Sequence, residues 1–164
     1  MTTLNLPHGK FALIDEENFS KFSKYSWRLA GAGYVSRGVR LKAKYEGKHK
    51  IFYLHREIMG AKKGEEVDHI NNNKLDNRKV NLRICNHRQN HFNRKGDSVS
   101  SSGFKGVSFK GDNCKDRPWC TRIFANKKEI YLGNFATPQE AAEVYNIAAK
   151  RYFGNYAYLN KIDA

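Results

Sequence analysis

Apolar residues recur in short runs, and their spacing changes along the chain. Phe11, Leu13 and Ile14 predict a short strand, and Phe19, Phe22 and Tyr25, near a helical repeat, predict a short helix. Tyr34, Val35, Val39 and Leu41, then Ile51, Phe52 and Tyr53, flank a turn near Glu46-Gly47-Lys48 and predict a β-hairpin. HREIMG predicts one or two helical turns stopped by Gly60. Val67 and Ile70 bracket the next strand, and Leu82, Arg83 and Ile84 form its return. Between them lies NNNKLDN, whose Asn and Asp side chains bond their own backbone and favour turns. From about Asn86 to Arg94 the pattern predicts a helix.

Residues 96–103, GDSVSSSG, break the pattern with small polar residues, as a flexible linker does. Beyond it, GFKGVSFKG, RPWCTRIFANKK and EIYLGNFA predict three strands, with a tight hairpin at Ala125-Asn126-Lys127-Lys128. Thr137, Pro138 and Glu140 mark a helix start with a capping box, and Ala142, Tyr145, Ala149 and Tyr152 fall on one face. Alanines there let a helix sit close to a sheet, and Gly154 is its expected stop. The expected class is α+β, with one domain at 1–95, a linker at 96–102 and a second domain at 103–164.

Charge narrows the partner. Lys and Arg total 30 against 16 acidic residues, a net +14 with pI near 9.8. Residues 1–103 carry +10 and residues 104–164 carry +4, so both parts can meet a phosphate backbone. No run approaches ~18 consecutive apolar residues, and no basic amphipathic helix is evident, so no membrane partner is expected. The first residues lack the basic-then-apolar pattern of a signal peptide, and a cytoplasmic location is expected. Cys85, Cys114 and Cys120 are odd in number and form no CxxC, which points to free thiols.

Phosphodiester hydrolysis needs a base for the attacking water and a cation for the developing charge. Asp68-His69 can supply both: a neutral histidine is a suitable base near pH 7, and a carboxylate suits Mg²⁺. Adjacent strand residues face opposite ways, but a strand end or bulge lets both serve one site. Asn81 follows His69 by 12 residues and Asn90 by 9 more, one on the returning hairpin and one on the next helix. Any one of these residues alone reads as a turn or helix cap; the ordered set is more specific. His87 and His91, spaced i, i+4, could form a zinc pair, but no other soft ligands accompany them, so a solvated or DNA-facing role is favoured and no zinc is expected.

The stretch VDHINNNKLDNRKVNLRICNHRQN resembles the HNH endonucleases of homing type, which have a ββα-metal core. The resemblance extends more loosely through LHREIMG and SKYSW. It implies His69 as general base, Asp68 and Asn90 as ligands of Mg²⁺ or Mn²⁺, and Asn81 as the residue that steadies the loop and orients the histidine. Position 90 is histidine in many relatives and asparagine here. The resemblance further implies 5′-phosphate and 3′-hydroxyl ends and a phage or mobile-element origin. A counterpart of His55 recurs in the family, for packing or phosphate contact. An ion held by one carboxylate and one amide keeps a formal positive charge, which favours a phosphate substrate.

GFKGVSF, RPWCTRIF, YLGNFATPQEAAEVYNIAAKRYFG and the final YLN resemble the Apetala2/ERF DNA-binding domain, in which a three-stranded sheet backed by a helix enters the major groove. That groove, about 12 Å wide, admits such a ribbon. Candidate contacts to double-stranded DNA are Lys74, Arg78 and Arg83 in the first domain and Lys105, Lys110, Arg117, Trp119, Arg122, Lys127, Lys128 and Tyr131 in the second. Trp119 and Arg122 are three apart, so either a bulge reconciles them or one faces the core. The expected enzyme is a metal-dependent, site-recognising endonuclease with no obligate protein partner, a monomer or two copies on DNA. The competing readings are a non-catalytic DNA-binding regulator that keeps the nuclease fold as scaffold, and an RNA-binding or RNA-cleaving protein.

Overall fold

A computed structural model describes residues 2–40, 49–95, 101–111, 114 and 116–162. The chain forms two compact units, Met1–Asn90 and His91–Ala164. The division falls five residues ahead of the boundary expected at Lys95. Most of the expected linker, residues 96–100, lies outside the described residues; Ser102 donates to the Val107 carbonyl at 2.8 Å and accepts from the Phe104 amide at 3.1 Å.

The first unit begins with an antiparallel hairpin of β1 (Thr2–Leu6) and β2 (Lys10–Ile14). Its first strand was not anticipated, although Leu4 and Leu6 alternate with polar residues and both are buried. His8 and Gly9 turn it with positive φ of 62° and 68°, which the right-handed twist of a hairpin favours. Then follow α1 (Glu16–Phe22), a three-stranded sheet of β3 (Arg28–Leu29), β4 (Val35–Arg40) and β5 (His49–Tyr53), and α2 (Leu54–Met59). The predicted hairpin turn near Glu46 lies outside the described residues. Gly60 ends α2 in the left-handed region, as expected. Leu4, Leu6, Ala12, Ile14, Phe22, Trp27, Val35 and Leu54 make one apolar core, so strand and helix faces that are each too small alone bury one another.

On this base sit β6 (Glu66–His69) and β7 (Leu82–Cys85), antiparallel with an unbroken register of Glu66↔Cys85, Val67↔Ile84, Asp68↔Arg83 and His69↔Leu82. Next comes α3 (His87–Phe92). Asn86 and Gln89 cap it reciprocally, each amide N–H donating to the other's side-chain oxygen at 2.9 Å.

The second unit has an antiparallel sheet in the order β10-β9-β8, from β8 (Val107–Phe109), β9 (Trp119–Ala125) and β10 (Lys128–Phe135), with α4 (Pro138–Phe153) packed on it. Asn126 and Lys127, at φ 52° and 63°, make the two-residue turn between β9 and β10. The predicted capping box is present: Glu140 N–H donates to Thr137 Oγ1 at 3.2 Å and Thr137 N–H to Glu140 Oε2 at 3.4 Å. Ala142, Tyr145 and Ala149 are buried as expected; Tyr152 is exposed, and the stripe instead includes Ala141, Ala148 and Phe153. The ridge through positions 142, 149 and 153 carries the packing to the end of the helix, where Phe153 stacks on Phe92 at 4.1 Å. All three cysteines are free thiols.

Gly106 sets how closely α4 approaches. Its φ is +77°, and a Cβ there would lie 2.2 Å from the Tyr145 ring and 2.6 Å from the Arg122 carbonyl. A Gly106→Ala substitution is expected to destabilise the protein by about 3 kcal/mol, from overpacking and backbone strain together. Urea unfolding checks this, and an unchanged midpoint would contradict so close an approach.

Candidate active site

The loop between β6 and β7 determines how His69 is held. It is wired by amides: Asn71 Oδ1 accepts from Asn73 N–H at 2.8 Å and Asn73 Oδ1 from Leu75 N–H at 3.1 Å. Asn81 joins its ends, accepting from Asn71 N–H at 3.0 Å and donating to the Asp76 carbonyl at 2.8 Å. Asp76 receives both arms of Arg78 at 2.7 Å, and those hydrogen bonds hold its carboxyl below the usual range against the opposing effect of burial. The loop is also pinned to β2: Leu13 N–H donates to the Leu75 carbonyl at 2.8 Å, and Asn77 N–H donates to the Leu13 carbonyl at 2.9 Å. Short polar side chains thus satisfy backbone groups that apolar packing could not.

His69 ends β6, and the register through Asp68 and His69 is unbroken, with no bulge between them. Strand alternation sends Asp68 and His69 to opposite faces. On the His69 face, its Nε2 lies 3.4 Å from Asn77 Oδ1, and its ring meets His55 edge-on at 5.1 Å. Tyr34 lies 5.9 Å from the His69 ring and 5.0 Å from that of His55. Burial lowers the His69 pKa, against opposing effects of Asn77 and Asp68. Burial, with the neighbouring His69 and Arg56, lowers that of His55 to about 3. His55 is 6% exposed, and its Nδ1 has no hydrogen-bond partner among the described residues. Lys74 donates to the Ala32 carbonyl at 2.7 Å and rests over the Tyr34 ring at 4.4 Å.

The opposite face carries charge. Asp68 Oδ2 accepts from Arg83 Nε at 2.8 Å and Nη2 at 2.5 Å. Two residues earlier on the same face, Glu66 accepts from Asn90 Nδ2 at 2.6 Å and from His87 Nδ1 at 2.8 Å. The structure therefore brings Asp68 to Arg83, and Asn90 to Glu66, a residue that the sequence reading passed over. Two of the three first-unit arginine and lysine candidates for DNA contact, Arg78 and Arg83, are engaged by carboxylates. Asn77, fully buried, was also passed over; its place at the end of NNNKLDN was the available signal.

The side chains on this side, the carboxylates of Asp68 and Glu66 and the amide of Asn90, carry hard oxygens, the chemistry that Mg²⁺ and Mn²⁺ take. Among the described residues, no three His, Cys, Asp or Glu side chains gather as a metal site. The fit to such an ion therefore rests on the chemistry of these oxygens.

In the second unit, Thr121, Ile123 and Ala125 face the helix, and Thr121 Oγ1 donates to the Ala141 carbonyl at 3.0 Å. Trp119 shares their parity and packs against Val107, Ala141 and Ala142. No bulge of β9 brings it to the side of Arg122, so the two part as strand alternation requires, with the partly buried Trp119 on the side that faces the helix. The outer face carries Arg122, paired with Glu129 at 3.0 Å, its cross-strand partner Tyr131, and Phe124 at 68% exposure. Phe124 was missed, although the alternation in TRIFA predicts it. Lys110, Arg117, Lys127 and Lys128 are exposed. Lys105 is turned inward instead: its amine donates to the Phe92 and Arg94 carbonyls at 3.0 and 2.6 Å, and burial lowers its pKa to about 8. Asn160 of the final YLN clamps the same residue, accepting from Lys105 N–H at 2.7 Å and donating to its carbonyl at 3.1 Å.

A histidine at the end of a hairpin strand, an adjacent carboxylate and a following helix with an amide match a known class of nuclease. Residues 53–92 match the HNH endonuclease family. Over 166 aligned positions the chain is 32% identical to an uncharacterized HNH endonuclease of Acanthamoeba polyphaga mimivirus, covering 99% of this chain and 81% of that one. The chain belongs to the HNH endonucleases and is a DNA nuclease. It is also 38% identical over 74 residues to the AP2-like ethylene-responsive transcription factor ANT of Arabidopsis thaliana, covering 43% of this chain and 13% of that protein. A similar factor of Oryza sativa subsp. japonica is 36% identical over 72 residues, again 43% of this chain and 11% of the other. The chain thus spans only about an eighth of these plant proteins.

Proposed function

We propose that this chain is a metal-dependent DNA endonuclease of homing type, whose first unit cuts and whose second unit supplies much of the site recognition. The observation that carries the reading is His69, next to Asp68 in the chain, buried and held at the strand end by an amide-wired loop. Asn77 donates to the Lys74 carbonyl at 3.2 Å, which fixes its NH₂ end and turns Oδ1 toward His69. An acceptor there takes the Nε2 proton, leaving Nδ1 as the basic nitrogen that removes a proton from the attacking water. Asn81 braces the loop and so keeps the ring in place. Asp68 and Asn90 would hold one Mg²⁺ or Mn²⁺, which when bound supplies positive charge to the phosphate and the leaving oxygen. Asp68 also has Arg83, which supplies a compensating cation on the same carboxylate.

For the second unit, the outer sheet face with Arg122, Tyr131 and Phe124 fits insertion into a major groove, with Lys127 and Lys128 at its tip for phosphate. The similarity to AP2-like transcription factors supports this. The proposed enzyme acts in the cytoplasm, with one active centre per chain. The test is cleavage of a DNA library by purified full-length protein with Mg²⁺ or Mn²⁺, followed by end-mapping. Discrete sites with 5′-phosphate and 3′-hydroxyl ends are expected. Tight binding without cleavage would support the regulator reading instead, and preference for structured RNA over duplex DNA would overturn both.

A further inference from the structure

Glu66 has no role in the chemistry described so far, yet its two oxygens are engaged separately and both by α3. Oε2 accepts from Asn90 Nδ2 at 2.6 Å and Oε1 from His87 Nδ1 at 2.8 Å. Residues 87 and 90 are i, i+3 neighbours on one helix face, so one carboxylate of β6 seats that face. An amide has an oxygen at one end and an NH₂ at the other, and a hard cation takes only the oxygen. The two ends are similar in shape, so packing alone distinguishes them poorly. An ionised carboxylate can only accept, and therefore selects the NH₂ end.

We infer that Glu66 is a positioning residue that fixes the orientation of the Asn90 amide, so that Oδ1 and not Nδ2 is presented to the cation shared with Asp68. The inference rests on the reading of Asn90 as a metal ligand given above. A carboxylate ligand at position 90 would need no such partner, because both of its ends are oxygen. An amide does need one, and Glu66, two residues before Asp68 on the same strand face, is placed to provide it.

The test is Mn²⁺ binding to the full chain without DNA, read from the electron paramagnetic resonance signal of free Mn²⁺. Glu66→Gln is nearly isosteric, but its amide can pair with Asn90 in either orientation. It is expected to weaken Mn²⁺ binding about tenfold while far-UV circular dichroism stays unchanged. In an Asn90→Asp background the same substitution removes the same charge but has no amide to orient, and no weakening is expected. Equal losses in both backgrounds, or none with Asn90 present, would overturn the positioning role. Mn²⁺ affinity unchanged in Asn90→Ala would instead overturn the reading of Asn90 as a ligand, so the two failures are distinguishable.

Discussion

Replacing His69 with alanine is expected to lower the cleavage rate about 10²- to 10⁴-fold, the usual contribution of a positioned general base, while DNA affinity stays near that of the native protein. The split matters. His69 is 4% exposed and held by Asn77, so it contributes little phosphate-binding surface, and its loss should appear in kcat and not in KM. The pH dependence follows from its surroundings. The imidazole acts as a base only when neutral, and burial lowers its pKa. The rate should therefore hold on mild acidification and fall with a midpoint below the ordinary value of ~6.5. Single-turnover cleavage of supercoiled plasmid across pH 5 to 8 checks both points. An alanine variant as active as the native protein would remove His69 from the role of base.

The second large effect concerns stability in acid. His55 has a folded pKa of about 3 against 6.5 for the free side chain, because burial and the neighbouring His69 disfavour its charge. Between those values the unfolded chain binds a proton that the folded one refuses. Stability from this group is full above pH 6.5 and is lost as the pH falls toward 3, at about 1.4 kcal/mol per pH unit. Summed over the window, that is about 5 kcal/mol, comparable with the whole stability of many domains. His69, shifted the same way, adds to the loss in the upper part of the window. Urea unfolding at pH 7, 6, 5 and 4 should show a steep decline in the native protein. In His55→Gln, which cannot titrate, the decline should be shallower by one proton's worth per pH unit. Parallel slopes would mean that the imidazole is not held neutral by the fold.

These residues also show how far a sequence can be read. The helix start at Thr137-Pro138 and the turn chemistry of NNNKLDN were legible because capping and Asx bonding are local, set within three or four residues. The pairing of Asp68 with Arg83 was not legible, because it depends on a strand register across a twelve-residue connection. Lys105 is a DNA-contact candidate through the Apetala2/ERF resemblance; its inward turn depends on the Phe92 and Arg94 carbonyls brought to it by the fold. Trp119 and Arg122 lie between these cases. Alternation sets them on opposite faces unless a bulge intervenes, and the sequence left open both the bulge and which of the two faces the helix. Glu66 was invisible for a different reason: nothing in the run EEVDH distinguishes an acid that receives a helix amide from one that is merely solvated.

The amide wiring of the loop under His69 has a further consequence. Its bonds join neutral side chains to backbone groups, and dissolved ions screen such bonds hardly at all. Contacts between basic side chains and DNA phosphates weaken steeply with salt, because binding releases condensed counterions. Ionic strength should therefore act as a selective dial, loosening the grip on the substrate while leaving the geometry of the base intact. A nuclease built this way can search DNA weakly in concentrated salt and still cut at its ordinary rate once seated.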